Sequence, residues 1–270
     1  MPDKLYDKLK QSNTFFLIAG PCVIEDEDLM MRTAEFLVEL TSRLGIPFIF
    51  KASYLKANRT ATDSYRGPGL DEGLALLGKI KASFNVPILT DVHETSDVSA
   101  AAEVCDVLQI PAFLSRQTAL LQAAARSGKI VNIKKGQFMA PEDMLSASEK
   151  VTSADSQKLI LTERGTTFGY HNLVVDFRSF AVMKAYGFPV VYDVTHSLQK
   201  PSVGKQSGGS PEYVRMMAQA AMATGSVDGL FIETHPQPAR AQSDASSMIA
   251  LDELPAVLDN CIRICQALEN

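Results

Sequence analysis

Two sets of side chains in this 270-residue chain could do chemistry. The first is cationic: Lys51, Lys56, Arg59, Arg66, Arg116, Lys134 and Arg164. Most of them fall at or just past the ends of short apolar runs. A guanidinium fork matches phosphate and carboxylate, and an ammonium supplies a mobile point charge. Gathered in one place, these cations would repel one another unless anions joined them. The set therefore predicts a ligand surface for more than one anionic group, for example two phosphates and a carboxylate. Scattered solvated charges are the bland alternative, and strand-end placement fits them poorly. Arg66-Gly67-Pro68-Gly69 adds a loop that permits close backbone approach before a helix N-terminus, by itself a weak anion signal. The second set is softer: Cys22, His196, Glu233 and Asp244. A thiolate, an imidazole and two carboxylates could hold one divalent ion such as Zn, Fe, Mn or Co. No local motif joins them, and plain packing competes as the reading of a lone strand cysteine. His93 and His235 are rival ligands or acid–base groups. His171, in Phe168-Gly169-Tyr170-His171-Asn172, reads as structural or surface.

Only a fold can bring such distant residues together, and the hydrophobic pattern says which. Short β-rich runs occur at Phe15–Pro21, Pro47–Ser53, Pro87–Val92, Val107–Ala112, Ile130–Gly136, Lys158–Arg164, Pro189–His196 and Gly229–His235. Amphipathic segments lie between them, among them Leu29–Leu44, Leu70–Phe84, Gln117–Ser127 and Glu212–Thr224. Alternating β and α implies parallel strands with helical crossovers. Eight units without a composition break predict an α/β fold, a closed (β/α)8 barrel forming one domain over residues 1–270, with residues 1–13 as a short N-terminal cap. An open doubly wound sheet is the runner-up, and it lacks a GxGxxG after any strand.

Strand parity sharpens the reading. Successive side chains alternate between faces, and the face against the helices should be apolar. Asn132 and Lys134 share one phase, as do Asp91 and His93, Thr162 and Arg164, and Glu233 and His235. With Cys22, Lys51, Gln109 and His196 added, nearly every strand ends in a polar or reactive group. Those are the C-terminal ends, where barrel enzymes build their sites. Burying so many charges without a function would be costly.

The bulk composition narrows the partners. A net charge of −5 argues against a nucleic-acid surface. The polar start MPDKLYDKLKQSN has no signal-peptide core, and no apolar run approaches a membrane span. Cys22, Cys105, Cys261 and Cys265 show no dense spacing, which predicts reduced thiols in the cytoplasm. Cys261 and Cys265 continue the apolar face of the last helix and read as core.

Several stretches, in order along almost the whole chain, resemble the 3-deoxy-D-manno-octulosonate 8-phosphate synthase family. They include Ala19-Gly20-Pro21-Cys22, Lys56-Ala57-Asn58-Arg59, Phe113-Leu114-Ser115-Arg116-Gln117-Thr118 and Asn132-Ile133-Lys134-Lys135-Gly136-Gln137-Phe138. Later ones are Leu161-Thr162-Glu163-Arg164-Gly165-Thr166-Thr167-Phe168-Gly169-Tyr170, Val174-Val175-Asp176-Phe177-Arg178, Thr195-His196-Ser197 and Glu233-Thr234-His235-Pro236.

The resemblance implies a (β/α)8-barrel transferase that condenses phosphoenolpyruvate with D-arabinose 5-phosphate, a step in making the inner-core sugar of lipopolysaccharide. By matching positions, Lys56, Lys134 and Arg164 would hold phosphoenolpyruvate, with Arg116 and Lys51 nearby. Asn58, Arg59 and Thr60 would contact the sugar phosphate. Lys56, Asn58, His196 and Asp244 would be the catalytic group. Ala61 removes a hydroxyl common at its position, which bears on sugar-phosphate affinity and not on reaction class. A related family using erythrose 4-phosphate carries Lys-Pro-Arg-Thr where this chain has Lys56-Ala57-Asn58-Arg59, so the five-carbon sugar is favoured. A catalytically silent sugar-phosphate-binding barrel is the remote alternative. Cys22 and Ser243-Asp244-Ala245-Ser246 are similar to the metal-dependent branch, implying one divalent ion on Cys22, His196, Glu233 and Asp244. The Gly/Ser-rich stretch from Gln199 to Gly209 reads as a mobile lid. A homotetramer is also implied.

Overall fold

The computed structural model describes residues 2–57, 64–200 and 208–269. Its barrel strands are β1 (Phe16–Gly20), β2 (Phe48–Lys51), β3 (Ile88–Asp91), β4 (Val107–Ile110), β5 (Ile130–Lys134) and β6 (Leu159–Glu163). Two short pairs and an edge strand punctuate the rest: β7 (Thr166–Thr167) with β8 (Leu173–Val174), β10 (Gln199–Lys200) with β11 (Gly208–Gly209), and β13 (Ile249–Ala250). The last two barrel strands are β9 (Val190–Asp193) and β12 (Gly229–His235). The sheet runs β1-β2-β3-β4-β5-β6-β9-β12, every pairing parallel, and β12 pairs back onto β1. That closure makes an eight-stranded (β/α)8 barrel, as the alternating pattern predicts, and leaves no edge for the runner-up sheet.

Helices cover the outside: α1 (Pro2–Lys10), α2 (Glu27–Leu44), α3 (Leu70–Phe84), α4 (Val98–Val104), α5 (Thr118–Arg126), α6 (Met144–Thr152) and α7 (Arg178–Lys184). A one-turn α8 (Val194–Ser197) precedes α9 (Val214–Met222) and α10 (Leu254–Leu268). The longest shows why its sequence folds so. Asp26 caps α2 by accepting from Leu29 N, acidic Glu27 and Asp28 occupy the first turn, and Gly45 closes it in the left-handed conformation. Its buried face of Met30, Ala34, Leu37 and Leu40 packs on the strands' outer side.

Strand phase divides the core in two. Outward-phase residues such as Leu17, Phe50, Ile88, Leu108, Val131, Leu161 and Ile232 join the helices in the larger cluster. Inward-phase residues from the N-terminal halves, Phe16, Ile18, Ile49, Leu89, Val107, Ile130, Ile160, Val191 and Phe231, form a second cluster inside the barrel. Helix α1 contributes Tyr6 and Leu9 to it, and Tyr6 Oη donates to the Leu159 carbonyl at 3.0 Å. One expected element differs. The run Pro189–His196 is strand only to Asp193, because Asp193 accepts from His196 N and caps a helical turn, so His196 stands on α8. Among the described residues no helix is long and apolar enough to cross a membrane.

Candidate active site

The inward phase that is apolar at one end becomes polar at the other. Lys51, Asp91, Gln109, Asn132, Lys134, Thr162, Arg164, Asp193 and Glu233 are all buried there. A polar floor crosses three neighbouring strands: Asn132 Nδ2 donates to Gln109 Oε1 at 3.0 Å, and Thr162 Oγ1 donates to Asn132 Oδ1 at 2.6 Å. Gly20 makes the first strand end possible. A Cβ there would stand 2.1 Å from the Lys51 carbonyl, so only glycine lets β1 pass β2 this closely. The passage puts Cys22 O 2.9 Å from Lys51 Nζ, which also meets Glu233 Oε1 at 2.5 Å.

Lys134 and His196 share one carboxylate. Lys134 Nζ lies 2.6 Å from Asp193 Oδ2, and His196 Nδ1 lies 2.9–3.0 Å from the two Asp193 oxygens. Burial alone would raise the Asp193 pKa, yet His196 and Lys134 hold it well below the usual carboxylate range. An ionised Asp193 only accepts, so it takes a hydrogen bond from His196 Nδ1 and turns Nε2 toward the other carboxylates. That nitrogen is 3.5 Å from Glu233 Oε2 and 3.7 Å from Asp244 Oδ2. Burial also lowers the Lys134 ammonium pKa, against the opposing pull of Asp193. The Phe231 ring lies beneath that ammonium, 3.9 Å from Nζ to the centroid.

Cys22 Sγ is 3.3 Å from Asp244 Oδ2 and 3.0 Å from Ser243 Oγ. Burial pushes its thiol pKa up, and Asp244 and Glu233 add to the push. Asp244 reaches this place from a left-handed backbone (φ 50), a strained conformation of the kind found where a site over-determines the chain. Cys22, Glu233 and Asp244 each offer a ligand atom within 4.8 Å of the others. His196, the fourth expected ligand, stands beside that trio through its contacts with both carboxylates. Glu233 Oε2 is buried without a hydrogen-bond partner among the described residues, and burial alone should push this acid up. Nearby His196 and Lys51 instead bring Glu233 down to about 2. An orphaned carboxylate oxygen beside a thiol, an imidazole and a second carboxylate fits a divalent cation of borderline softness.

The cations are not all in one place. Arg164 is buried, donates through Nη2 to Gln199 Oε1 at 3.1 Å, and keeps Nη1 without a hydrogen-bond partner among the described residues. Lys56 is nearly buried, and its ammonium pKa is raised because Cys22, Asp91, Glu233 and Asp244 outweigh its desolvation. Arg116 is exposed on the segment after β4, where its carbonyl accepts from Lys150 Nζ, so it stands apart from the buried group. Arg66 is exposed too, and the Gly67–Gly69 turn serves packing: Gly69 N donates to Tyr54 O, and a Gly67 Cβ would meet that carbonyl at 2.4 Å. Asn58, Arg59, Thr60 and Ala61 lie outside the described residues, as do residues 201–207 of the expected lid.

The remaining histidines sort cleanly. His93 Nε2 is 3.7 Å from Asp91 Oδ2, whose partner oxygen accepts from Ser53 Oγ at 2.7 Å. His235 Nδ1 accepts from Gln237 N, and neither His93 nor His235 joins the metal-competent trio. His171 is exposed, as expected of that loop. Three site residues escape a reading of the sequence: Asp193, Gln199 and Ser243. Asp193 had a findable signal, since it shares the inward phase with Val191 on β9.

The DAHP synthetase I family matches residues 9–267. Three 2-dehydro-3-deoxyphosphooctonate aldolases are close relatives. That of Trichlorobacter lovleyi is 54% identical over 252 residues, covering 93% of this chain and 92% of the relative. That of Acidithiobacillus ferrooxidans is 53% identical over 257 residues, with 95% and 90% covered. That of Koribacter versatilis is 51% identical over 271 residues, with 99% and 97% covered. The family match over residues 9–267 and about 50% identity sustained over nine-tenths or more of both chains leave one assignment: the chain belongs to the DAHP synthetase I family, among its 2-dehydro-3-deoxyphosphooctonate aldolases.

Proposed function

We propose that this enzyme condenses phosphoenolpyruvate with D-arabinose 5-phosphate and water, giving 3-deoxy-D-manno-octulosonate 8-phosphate and phosphate. The observation that carries the reading is the burial of both Lys134 and Arg164, the latter with a guanidinium nitrogen unpartnered among the described residues, in a chain about half identical to such aldolases over nearly its whole length. Lys134, Arg164 and Lys56 hold the carboxylate and phosphate of phosphoenolpyruvate, with Lys51 behind them in its pair with Glu233. Asn58, Arg59 and Thr60 take the sugar phosphate, and Arg116 stands ready from the exposed rim.

Held in that way, the C2–C3 electron pair of the enol forms the new bond to the aldehyde carbon. Water adds at C2, and the C2–O bond breaks so that phosphate leaves with the bridging oxygen. Lys134 and Arg164 stabilise charge on the departing phosphate, a task for which fixed donors in a dry site are well suited. Asp193 holds His196 so that Nε2 faces inward. Lys56, Asn58, His196 and Asp244 surround the reacting carbons.

The chain belongs in the metal-dependent branch, on the strength of Cys22 and its grouping with Glu233 and Asp244. Cys22, His196, Glu233 and Asp244 would hold one Zn, Fe, Mn or Co ion. When bound, that ion supplies a Lewis acid for orienting the aldehyde and its neighbouring hydroxyl or for making water more acidic.

One barrel unit does this work, in the cytoplasm, where the free thiols Cys22, Cys105, Cys261 and Cys265 stay reduced. Homotetramers suit the exposed Phe113, Phe138, Phe168 and Tyr170, whose segments meet through Thr167 N to Gln137 O and Gly136 against Ala112 O.

Phosphate release from phosphoenolpyruvate with each aldehyde tests the proposal. A higher kcat/KM with arabinose 5-phosphate is expected. A higher value with erythrose 4-phosphate would move the chain to the neighbouring activity, and binding without turnover of any aldose phosphate would make it a silent barrel. Strong chelation should abolish turnover and metal add-back restore it. Cys22→Asn should weaken metal retention, and full activity of demetallated wild type would remove the ion from the account.

A further inference from the structure

Lys135 and Glu163 are two buried charges that the site does not use. Both sit in the outward strand phase, where Val131, Ile133, Leu159 and Leu161 pack against helices. Each is about 1% exposed, so the pair lies behind the barrel wall and cannot touch a substrate in the mouth. Charges in such a place are costly, and Glu163 Oε2 is buried with no hydrogen-bond partner among the described residues, so the bonds of Oε1 and the Lys135 ammonium must hold the pair. Lys135 Nζ donates to Met139 O at 3.1 Å and to Thr166 Oγ1 at 3.0 Å, and it lies 3.4 Å from Glu163 Oε1 at the end of β6. Glu163 Oε1 in turn accepts from Arg164 N at 3.0 Å and Gly165 N at 2.7 Å. Gly165 has φ +90, so β6 ends in a sharp turn immediately after Arg164. One carboxylate oxygen therefore clasps the backbone of the residue whose guanidinium faces the mouth, and Lys135 neutralises and anchors that carboxylate.

We propose that Lys135 and Glu163 are positioning residues that set the aim of the Arg164 guanidinium from outside the barrel wall. The adjacent lysines of β5 thus divide the labour: Lys134 faces the substrate and Lys135 braces the arginine of the next strand. Fixing a backbone N–H pair to a buried carboxylate holds the Cα–Cβ direction of Arg164. Its Nη1, unpartnered among the described residues, is then presented without the entropy of a free side chain. The inference rests on Arg164 as a phosphoenolpyruvate contact.

The test measures phosphoenolpyruvate binding by calorimetry, and steady-state kinetics with arabinose 5-phosphate, in the full-length metal-loaded enzyme. Glu163→Gln and Lys135→Met should each weaken phosphoenolpyruvate binding by about 10- to 100-fold, the worth of a charge-assisted hydrogen bond. KM for arabinose 5-phosphate should change by less than about threefold, whereas kcat at saturating phosphoenolpyruvate should fall by about three- to tenfold, because Arg164 also stabilises the departing phosphate. Each single variant strands a buried charge and should lower the thermal midpoint. The Lys135→Met, Glu163→Leu double variant removes both charges and should recover much of that midpoint. It should not recover phosphoenolpyruvate affinity, because nothing then accepts from Arg164 N and Gly165 N. Thr166→Val, a milder change, should weaken affinity by about two- to fivefold. Affinity that returns with stability in the double variant, or equal losses for both substrates, would overturn the proposal. Wild-type enzyme that fails to bind phosphoenolpyruvate would instead overturn the functional reading beneath it.

Discussion

The same inward-facing positions of the same eight strands build two unlike places. At the N-terminal end they supply Phe16, Ile18, Ile49, Leu89, Val107, Ile130, Ile160 and Val191, closed from below by Tyr6 and Leu9 of α1. Two or four residues further along, the same phase gives Lys51, Asp91, Gln109, Asn132, Lys134, Thr162, Arg164 and Asp193. Both sets are buried to a similar degree, so burial does not tell them apart. Satisfaction does. The apolar end needs no partners, whereas the polar end keeps Arg164 Nη1 and Glu233 Oε2 without a hydrogen-bond partner among the described residues. Unpaired buried groups cost stability, and a fold retains them where a ligand completes them. The lower half is built for stability and the upper half for binding.

Substitutions at each end should separate these roles. Lys134→Met strikes the upper half, and kcat/KM for phosphoenolpyruvate should fall by on the order of 10²–10³, as when one charge-stabilising donor is removed. A fall below tenfold would mean that Lys134 is merely the counter-ion of Asp193. Leu9→Ala strikes the lower half. It should lower unfolding free energy by about 2–3 kcal/mol, the lower part of the range for such truncations, because α1 can settle into the space. Denaturant melts would read that loss, while kcat/KM of the folded enzyme should stay within about twofold of wild type. A large activity loss there would erase the division between the halves. Phe231 lies on the border, with its ring in the lower cluster and the Lys134 ammonium above it. Phe231→Leu should therefore show both effects in small measure: about 1 kcal/mol of stability and a several-fold rise in KM for phosphoenolpyruvate. Loss of only one of the two would move Phe231 wholly into one half.

The barrel is legible because parallel strands with helical crossovers leave a plain periodic trace, and strand parity alone puts Lys134, Arg164, Asp91 and Glu233 in the interior. Parity names a face and not a partner. Which strand ends meet across the ring depends on register and on how loops return, so Asp193 between Lys134 and His196 could not be paired from sequence. Gln199, linking Arg164 to Asp244, and Ser243 beside Cys22 come from loop segments with no periodic signature. His196 was placed at a strand end because the apolar run continues past Asp193; a side-chain cap, which hydrophobic pattern does not register, turned it into a helix. Arg116 was grouped with the mouth for the same reason that its neighbours were, yet the 3-10 turn Ala112–Leu114 carries it to the exposed rim. The four-ligand metal set leaned on family resemblance, and the geometry gathers Cys22, Glu233 and Asp244 with His196 alongside.

The central claim is that the upper half binds phosphoenolpyruvate so that C3 joins the aldehyde carbon and the C2–O bond, not the P–O bond, breaks to release phosphate. Turnover of phosphoenolpyruvate labelled with ¹⁸O at the bridging position, in the presence of arabinose 5-phosphate, tests it most directly. The account predicts one phosphate released per sugar phosphate consumed, with the label in that phosphate. Label retained in the sugar-acid product, or no phosphate released by the metal-loaded enzyme, would contradict it.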